Sequence, residues 1–140
     1  MRTLLISAFV VLASVGCGSS DGDAASPEGA WIAVSGVSAG SDVELVEGFP
    51  VTLGLDGDEV VGTAACNRYS GAVALGSDGT FEASGLSWTE IGCEPAVHEV
   101  EQAYLASLSS FSNYAVADDV LTLSGTSDEW VFARSGNATG

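Results

Sequence analysis

The chain has 140 residues, with 19 acidic side chains against three basic ones and a formal net charge of −16. That length suits one domain. The charge argues against nucleic acid, whose phosphates need clustered Lys and Arg, and against docking of the protein surface on anionic lipid head groups; a surface this acidic more often serves solubility, or a salty habitat, than a cationic partner.

The opening stretch "MRTLLISAFVVLASVGC" carries one positive charge, Arg2, and then an apolar run from Leu4 to Val15. The run is too short to span a bilayer, which takes roughly 20 residues, and it suits a secretory signal peptide. It ends in Gly16-Cys17. A cysteine after a small residue at that place looks like a lipobox, in which the cysteine is diacylated and becomes the new N-terminus. Ser14 departs from the leucine usual three positions before it. A plain secretory leader is one alternative, but no small-x-small site follows the run. An uncleaved anchor is the other, and the run is short for it. Residues 1–16 are thus expected to be a lipoprotein signal peptide, with Cys17 lipidated and residues 17–29 a flexible tether lacking any large apolar side chain. The domain would sit in the cell envelope, anchored by lipid on the extracytoplasmic side of a membrane.

Beyond the tether, alternation of apolar and polar residues dominates. "WIAVSGV" opens the domain as a strand. "FPVTLGLD" places Phe49, Val51, Leu53 and Leu55 on one strand face. After Asp56-Gly57, a two-residue hairpin signal, come "EVVGTAAC" and then "YSGAVAL". "GSDGTFEASGLSWT" reads as a turn and a short strand pair. "YAVAD", "VLTLS" and "EWVFAR" are short β runs separated by Asp118-Asp119 and by "GTSD". One segment breaks the period of two. In "EPAVHEVEQAYLASLSSF", Val97, Val100, Tyr104, Leu108 and Phe111 recur at helical spacing, with Pro95 suited to a first turn and Glu94, Glu99 and Glu101 near the helix N-terminus, where the dipole favours acids. The expected fold is α+β but mostly β: a curled antiparallel sheet or small, partly open barrel of about eight strands, with one helix packed on it. The domain is expected over 30–135, followed by a disordered tail at 136–140.

Chemistry of catalytic type finds little support. "GVSAG", Gly36 to Gly40, matches the G-x-S-x-G string, but "SDVELVEGFP" follows where a nucleophile elbow needs a helix. His98 is the only histidine, and nothing in the sequence nominates a nucleophile or an orienting partner for it. One histidine and two cysteines make a poor zinc site. "DGDE" lacks the remainder of a calcium loop and is explained as a turn. Neither metal nor cofactor is expected.

Once Cys17 is lipidated, Cys66 and Cys93 remain, and an exported domain meets an oxidising compartment. An even pair there is most simply a disulfide. Cys66 would end a strand and Cys93 stands just before Pro95, so a bridge would pin the start of the helix to the sheet. Its loop closure would contribute about 3–4 kcal/mol by the chain-entropy estimate. Two reduced, buried thiols are the alternative.

Two stretches carry a resemblance: "ACNRYSG", residues 65 to 71, and "LSWTEIGC", residues 86 to 93. With the helix bearing Glu99, the closing strands "VLTLS" and "EWVFAR", and Trp31 at the first strand, the chain resembles the META domain, or HslJ-like, family of bacterial envelope lipoproteins over roughly residues 30–134. The resemblance implies a one-domain β fold with one helix, links to stress, and no catalytic residues or cofactor. Cys66, Asn67, Tyr69, Gly71, Thr89 and Cys93 carry over as motif positions. Bottom-up, Asn67 can bond to its own backbone and ease a bulge, Gly71 permits close approach in a curved strand, and Tyr69 offers buried area with a polar tip. A second reading makes Asn67, Arg68, Tyr69, Gly71 and Thr89 a ligand patch. The function expected is that of a monomeric, non-enzymatic envelope lipoprotein that binds a partner protein or serves in envelope stress. The alternative is a small-molecule or lipid carrier using the concave face of the sheet.

Overall fold

The computed structural model describes residues 25–135. Its elements in chain order are β1 (Gly29–Ser38), β2 (Ser41–Asp42), β3 (Thr52–Asp56), β4 (Glu59–Ala64), β5 (Asn67–Leu75), β6 (Phe81–Trp88), α1 (Pro95–Leu108), β7 (Asn113–Ala117), β8 (Val120–Ser124) and β9 (Glu129–Arg134). The strands form one antiparallel sheet in the order β6-β5-β4-β3-β1-β9-β8-β7, with β2 paired to β1 alone. The sheet curls into a half-barrel. Its two edges meet at one end only, where Phe81 N–H donates to Ser112 O at 2.9 Å and Tyr114 N–H donates to Gly79 O at 2.8 Å. The expected strand number, antiparallel pairing and single helix are all present.

Alternation explains which residues turn inward. Val51, Leu53 and Leu55 from the β3 segment, Leu121 and Leu123 from β8, and Trp130 and Phe132 from β9 are all buried. They meet Val97, Val100, Tyr104 and Leu108 of α1, which lies on the concave face. Tyr104 is the hub of this core. Its ring lies 4.9 Å from that of Trp130, 5.5 Å from that of Tyr69 and 6.3 Å from that of Phe132, each edge to face, the geometry that aromatic quadrupoles favour. Gly36 makes room for Trp130: a Cβ there would stand 2.7 Å from the indole ring.

Several local expectations are corrected. Phe49 does not share the β3 face; it is 40% exposed. A turn in which Phe49 N–H donates to Val46 O at 3.1 Å, with Gly48 at φ 87°, turns it away before the strand starts. The hairpin loop between β3 and β4 is Gly57-Asp58 rather than Asp56-Gly57, since Asp56 pairs with Glu59 and the left-handed residue is Gly57. The "GSDGTFEASGLSWT" stretch forms a turn and one strand, β6, not a pair of strands. A register shift between Ser70 and Ala72 accommodates its bend. Gly71 sits in that shift, where a Cβ would meet Leu86 Cδ2 at 2.7 Å and Ser84 O at 2.9 Å, so the close approach expected there is observed. Pro95 opens α1, but no acidic residue occupies its first turn, and Glu94 makes no side-chain capping bond. Phe111 lies past the end of α1 and is still buried.

Candidate functional site

The chemistry that the sequence concentrates around residues 64–73 is built on the tip of the β4–β5 hairpin. Ala64 pairs with Asn67, so Ala65 and Cys66 form the turn itself. Cys66 therefore does not end a strand. Cys66 N–H donates back to Ala64 O at 2.7 Å across Ala65, whose φ is 62°. A γ-turn centred on a non-glycine residue with positive φ is strained, at a cost of order 1–3 kcal/mol, and persists only where its surroundings enforce it.

Two devices enforce it. The first is the disulfide between Cys66 and Cys93, whose Cα atoms stand 6.3 Å apart, inside the separation that a bridge spans. The second is Asn67, only 2% exposed. Its Oδ1 accepts from Ile91 N–H at 2.7 Å and from Thr89 Oγ1 at 2.9 Å. Its Nδ2 donates to Ile91 O at 3.1 Å and to Glu101 Oε2 at 2.9 Å. All four hydrogen-bonding sites of the amide are used. Asn67 backbone N–H also donates to Glu101 Oε1 at 2.6 Å. Asn67 thus ties three segments together: the hairpin tip, the 89–94 loop and α1. It does not bond to its own backbone, as its residue type suggests.

Thr89 completes the seam. Arg68 N–H donates to Thr89 Oγ1 at 3.2 Å, and Thr89 N–H donates to Arg68 O at 3.0 Å. Tyr69 points into the core and donates to Thr52 O at 2.7 Å. Its oxygen lies 2.6 Å from that of Tyr104. Tyr69 has one proton and gives it to Thr52, so Tyr104 donates to Tyr69. Burial pushes the Tyr69 hydroxyl well above its ordinary pKa, with a further push from Tyr104. Burial likewise raises Tyr104, only partly countered by its bond to Tyr69. Arg68 alternates to the exposed side and makes no ion pair among the described residues. Asn67, Tyr69, Gly71 and Thr89 are therefore engaged in holding the fold; Arg68, Tyr69 and Thr89 line one cavity of about 560 Å3, while Asn67 and Thr89 line a separate groove. The structure does not gather the five into one ligand patch. Cys17 lies outside the described residues.

The site that the fold does assemble lies next to this seam. A groove of about 720 Å3 runs between the 89–94 loop and α1, walled by Trp88, Ile91 and Cys93 and floored by His98, Leu105 and Ala106. Trp88 is 45% and Ile91 67% exposed. His98 opens to solvent on the same side, its Nδ1 3.9 Å from Glu101 Oε2.

Sequence reasoning missed three participants. Glu101 is buried, 4% exposed; it stands four residues after Val97 and three before Tyr104, so the helical spacing itself puts it on the buried stripe. Trp88 and Ile91 carried no periodic signal, because their placement depends on the loop being folded against α1.

An antiparallel half-barrel plugged by one helix, with a disulfide-pinned loop bordering an open groove, defines the class. The META domain family model matches residues 25–137, and the chain belongs to that family. Among curated proteins, none matches the chain in sequence. In fold it is similar to a protein from Burkholderia xenovorans solved by NMR (TM-score 0.65, 23% identity, 84% of this chain and 97% of that one). It is also similar to a DUF4847 family protein from Bacteroides vulgatus ATCC 8482 solved by crystallography (TM-score 0.56, 13% identity, 76% of this chain and 92% of that one).

Proposed function

We propose that this META domain protein is a non-enzymatic, monomeric module of the bacterial envelope. It is held to a membrane through lipidated Cys17 and binds a partner protein through the groove beside the 89–94 loop, in a role tied to envelope stress. The observation that carries the reading is the pairing of exposed Trp88 and Ile91 along a groove whose wall is rigidly held. Large apolar side chains kept in solvent by a rigid frame are what protein-binding surfaces present. The motif residues Asn67 and Tyr69 and their partners Glu101 and Tyr104 are buried and spend their polar atoms on internal hydrogen bonds. A carrier using the concave face would need space that Trp31, Trp130, Phe132 and α1 occupy.

The test is photo-cross-linking in whole cells, with a photoreactive residue placed at position 88 or 91, and at Val120 as a control on a distant hairpin. The reading expects a discrete protein adduct from 88 and 91 and not from 120. Absence of any discrete adduct from the groove positions contradicts it.

A further inference from the structure

The groove differs from an ordinary apolar cleft in its charge and in the rigidity of its most exposed residue. We propose that its occupant is an extended, basic segment of the partner protein, with an apolar side chain seated against Ile91 and Leu105 and a Lys or Arg beside Trp88 and Glu90. This rests on the protein-binding reading and adds the chemistry of the partner.

Charge sets the sign. The chain carries 19 acids against three bases. Among the described residues the bases are Arg68 and Arg134, and Arg134 is committed, its Nε donating to Asp119 at 3.1 Å and its guanidinium lying 4.2 Å from the Trp31 ring centre. Neither lines the groove, which holds exposed Glu90 and buried Glu101 beside His98; Arg68 lines the adjoining cavity that shares Trp88 and Thr89. A field of one sign focused in a cleft favours ligands of the other sign. Carboxylates and phosphates, including those of lipids, are disfavoured there.

Trp88 supplies the second element. Trp88 is 45% exposed and lines the groove together with Glu90. Cations are attracted to an indole face within about 6 Å, and this fold already makes that contact once, between Arg134 and Trp31. A half-exposed Trp and an exposed carboxylate lining one groove suit a Lys or Arg better than an uncharged group.

Ile91 supplies the third. Its side chain is 67% exposed, yet both of its backbone polar groups are held by buried Asn67, Ile91 N–H at 2.7 Å and Ile91 O at 3.1 Å. An apolar side chain carried on a held backbone loses less entropy on contact than one on a mobile loop. The α1 wall from His98 to Ser109 spans about 16 Å at the helical rise, the length of about five extended residues.

The experiment is calorimetric titration of the full chain with nine-residue peptides at low and high salt. One alternates Lys and Leu, one Glu and Leu, and one Lys and Ser. The Lys/Leu peptide should bind, should weaken as salt rises, and should lose about tenfold or more in affinity to Trp88→Ala and to Ile91→Ser. Ile91 is 67% exposed, so Ile91→Ser should melt as the parent does; Trp88→Ala, whose side chain is half covered, is titrated well below its own melting temperature; and Val120→Ser should bind as the parent does. Equal binding of the Glu/Leu or the Lys/Ser peptide, or parent-like binding by both groove variants, overturns the proposal. If no peptide binds while the cross-linked adduct forms at position 91, protein binding stands and the basic-segment inference fails. If the Lys/Leu peptide binds as expected while no adduct forms in cells, the groove chemistry stands and the protein-binding reading fails.

Discussion

Glu101 and Asn67 meet where the helix crosses the β4–β5 hairpin, the carboxylate accepting the Asn67 backbone N–H at 2.6 Å and its side-chain amide at 2.9 Å. Both residues are buried. A carboxylate is acceptor-only and can take both protons, whereas an amide offers one acceptor and one donor group. Glu101→Gln must turn its NH2 toward one of the two donors. Leaving a buried polar group unpaired costs about 1–3 kcal/mol, and for a domain of this size each kcal/mol lowers Tm by several degrees. Thermal melting of Glu101→Gln should show that drop; a parent-like Tm contradicts the arrangement.

The tyrosine pair sets an alkaline limit. Burial raises Tyr69 and Tyr104 above their ordinary value of 10.0. In the unfolded chain both would ionise near pH 10, while in the fold they stay neutral and the unfolded state binds fewer protons. Stability from this pair is therefore fully present below pH 10 and declines above it, by up to about 1.4 kcal/mol per pH unit for each tyrosine. Urea unfolding measured from neutral pH upward should show a plateau and then that decline. Replacing both with Phe should remove the added slope.

Leu108 is fully buried on the concave face. Leu108→Ala should cost roughly 2–5 kcal/mol, read as a lower urea midpoint at unchanged slope. An unchanged midpoint contradicts packing of α1 in the half-barrel.

The bridge from Cys66 to Cys93 spans 27 positions, a loop whose closure is worth about 3–4 kcal/mol. Alkylation of the purified protein without prior reduction should leave both cysteines unmodified in the mass spectrum. Cys66→Ala with Cys93→Ala should lower stability by that order.

For the N-terminus, we propose that Cys17→Ser moves the protein from the membrane to the soluble fraction. A variant that fractionates like its parent contradicts lipidation.

How far these features could be read in the sequence varied with how locally they are determined. "VLTLS" and "EWVFAR" coincide with β8 and β9 because each alternates large inward residues with polar outward ones. The helix was legible from its stripe, and the cysteine pair from the parity left once Cys17 is set aside. Phe49 misled because alternation continues through it, while a turn and Pro50 break the chain just before the strand. Ala65-Cys66 has no turn-forming residue; its geometry is imposed from outside, by the disulfide and by Asn67. Glu101 was read for its charge at a helix start, although its spacing put it inside. The groove was not legible, because it exists only once the 89–94 loop is tied to a residue more than twenty positions earlier.

Asn67 is the structural pin that holds the wall of the groove beside the 89–94 loop. Amide hydrogen exchange at Ile91 tests it most directly. Its side chain is 67% exposed and it lies outside any strand or helix, so a loop free to open would let its N–H exchange quickly. The Ile91 amide, bonded to Asn67 Oδ1 at 2.7 Å, should be protected like a strand amide, and Asn67→Ala should abolish that protection. Fast exchange of Ile91 in the parent, or protection unchanged in Asn67→Ala, would contradict the claim.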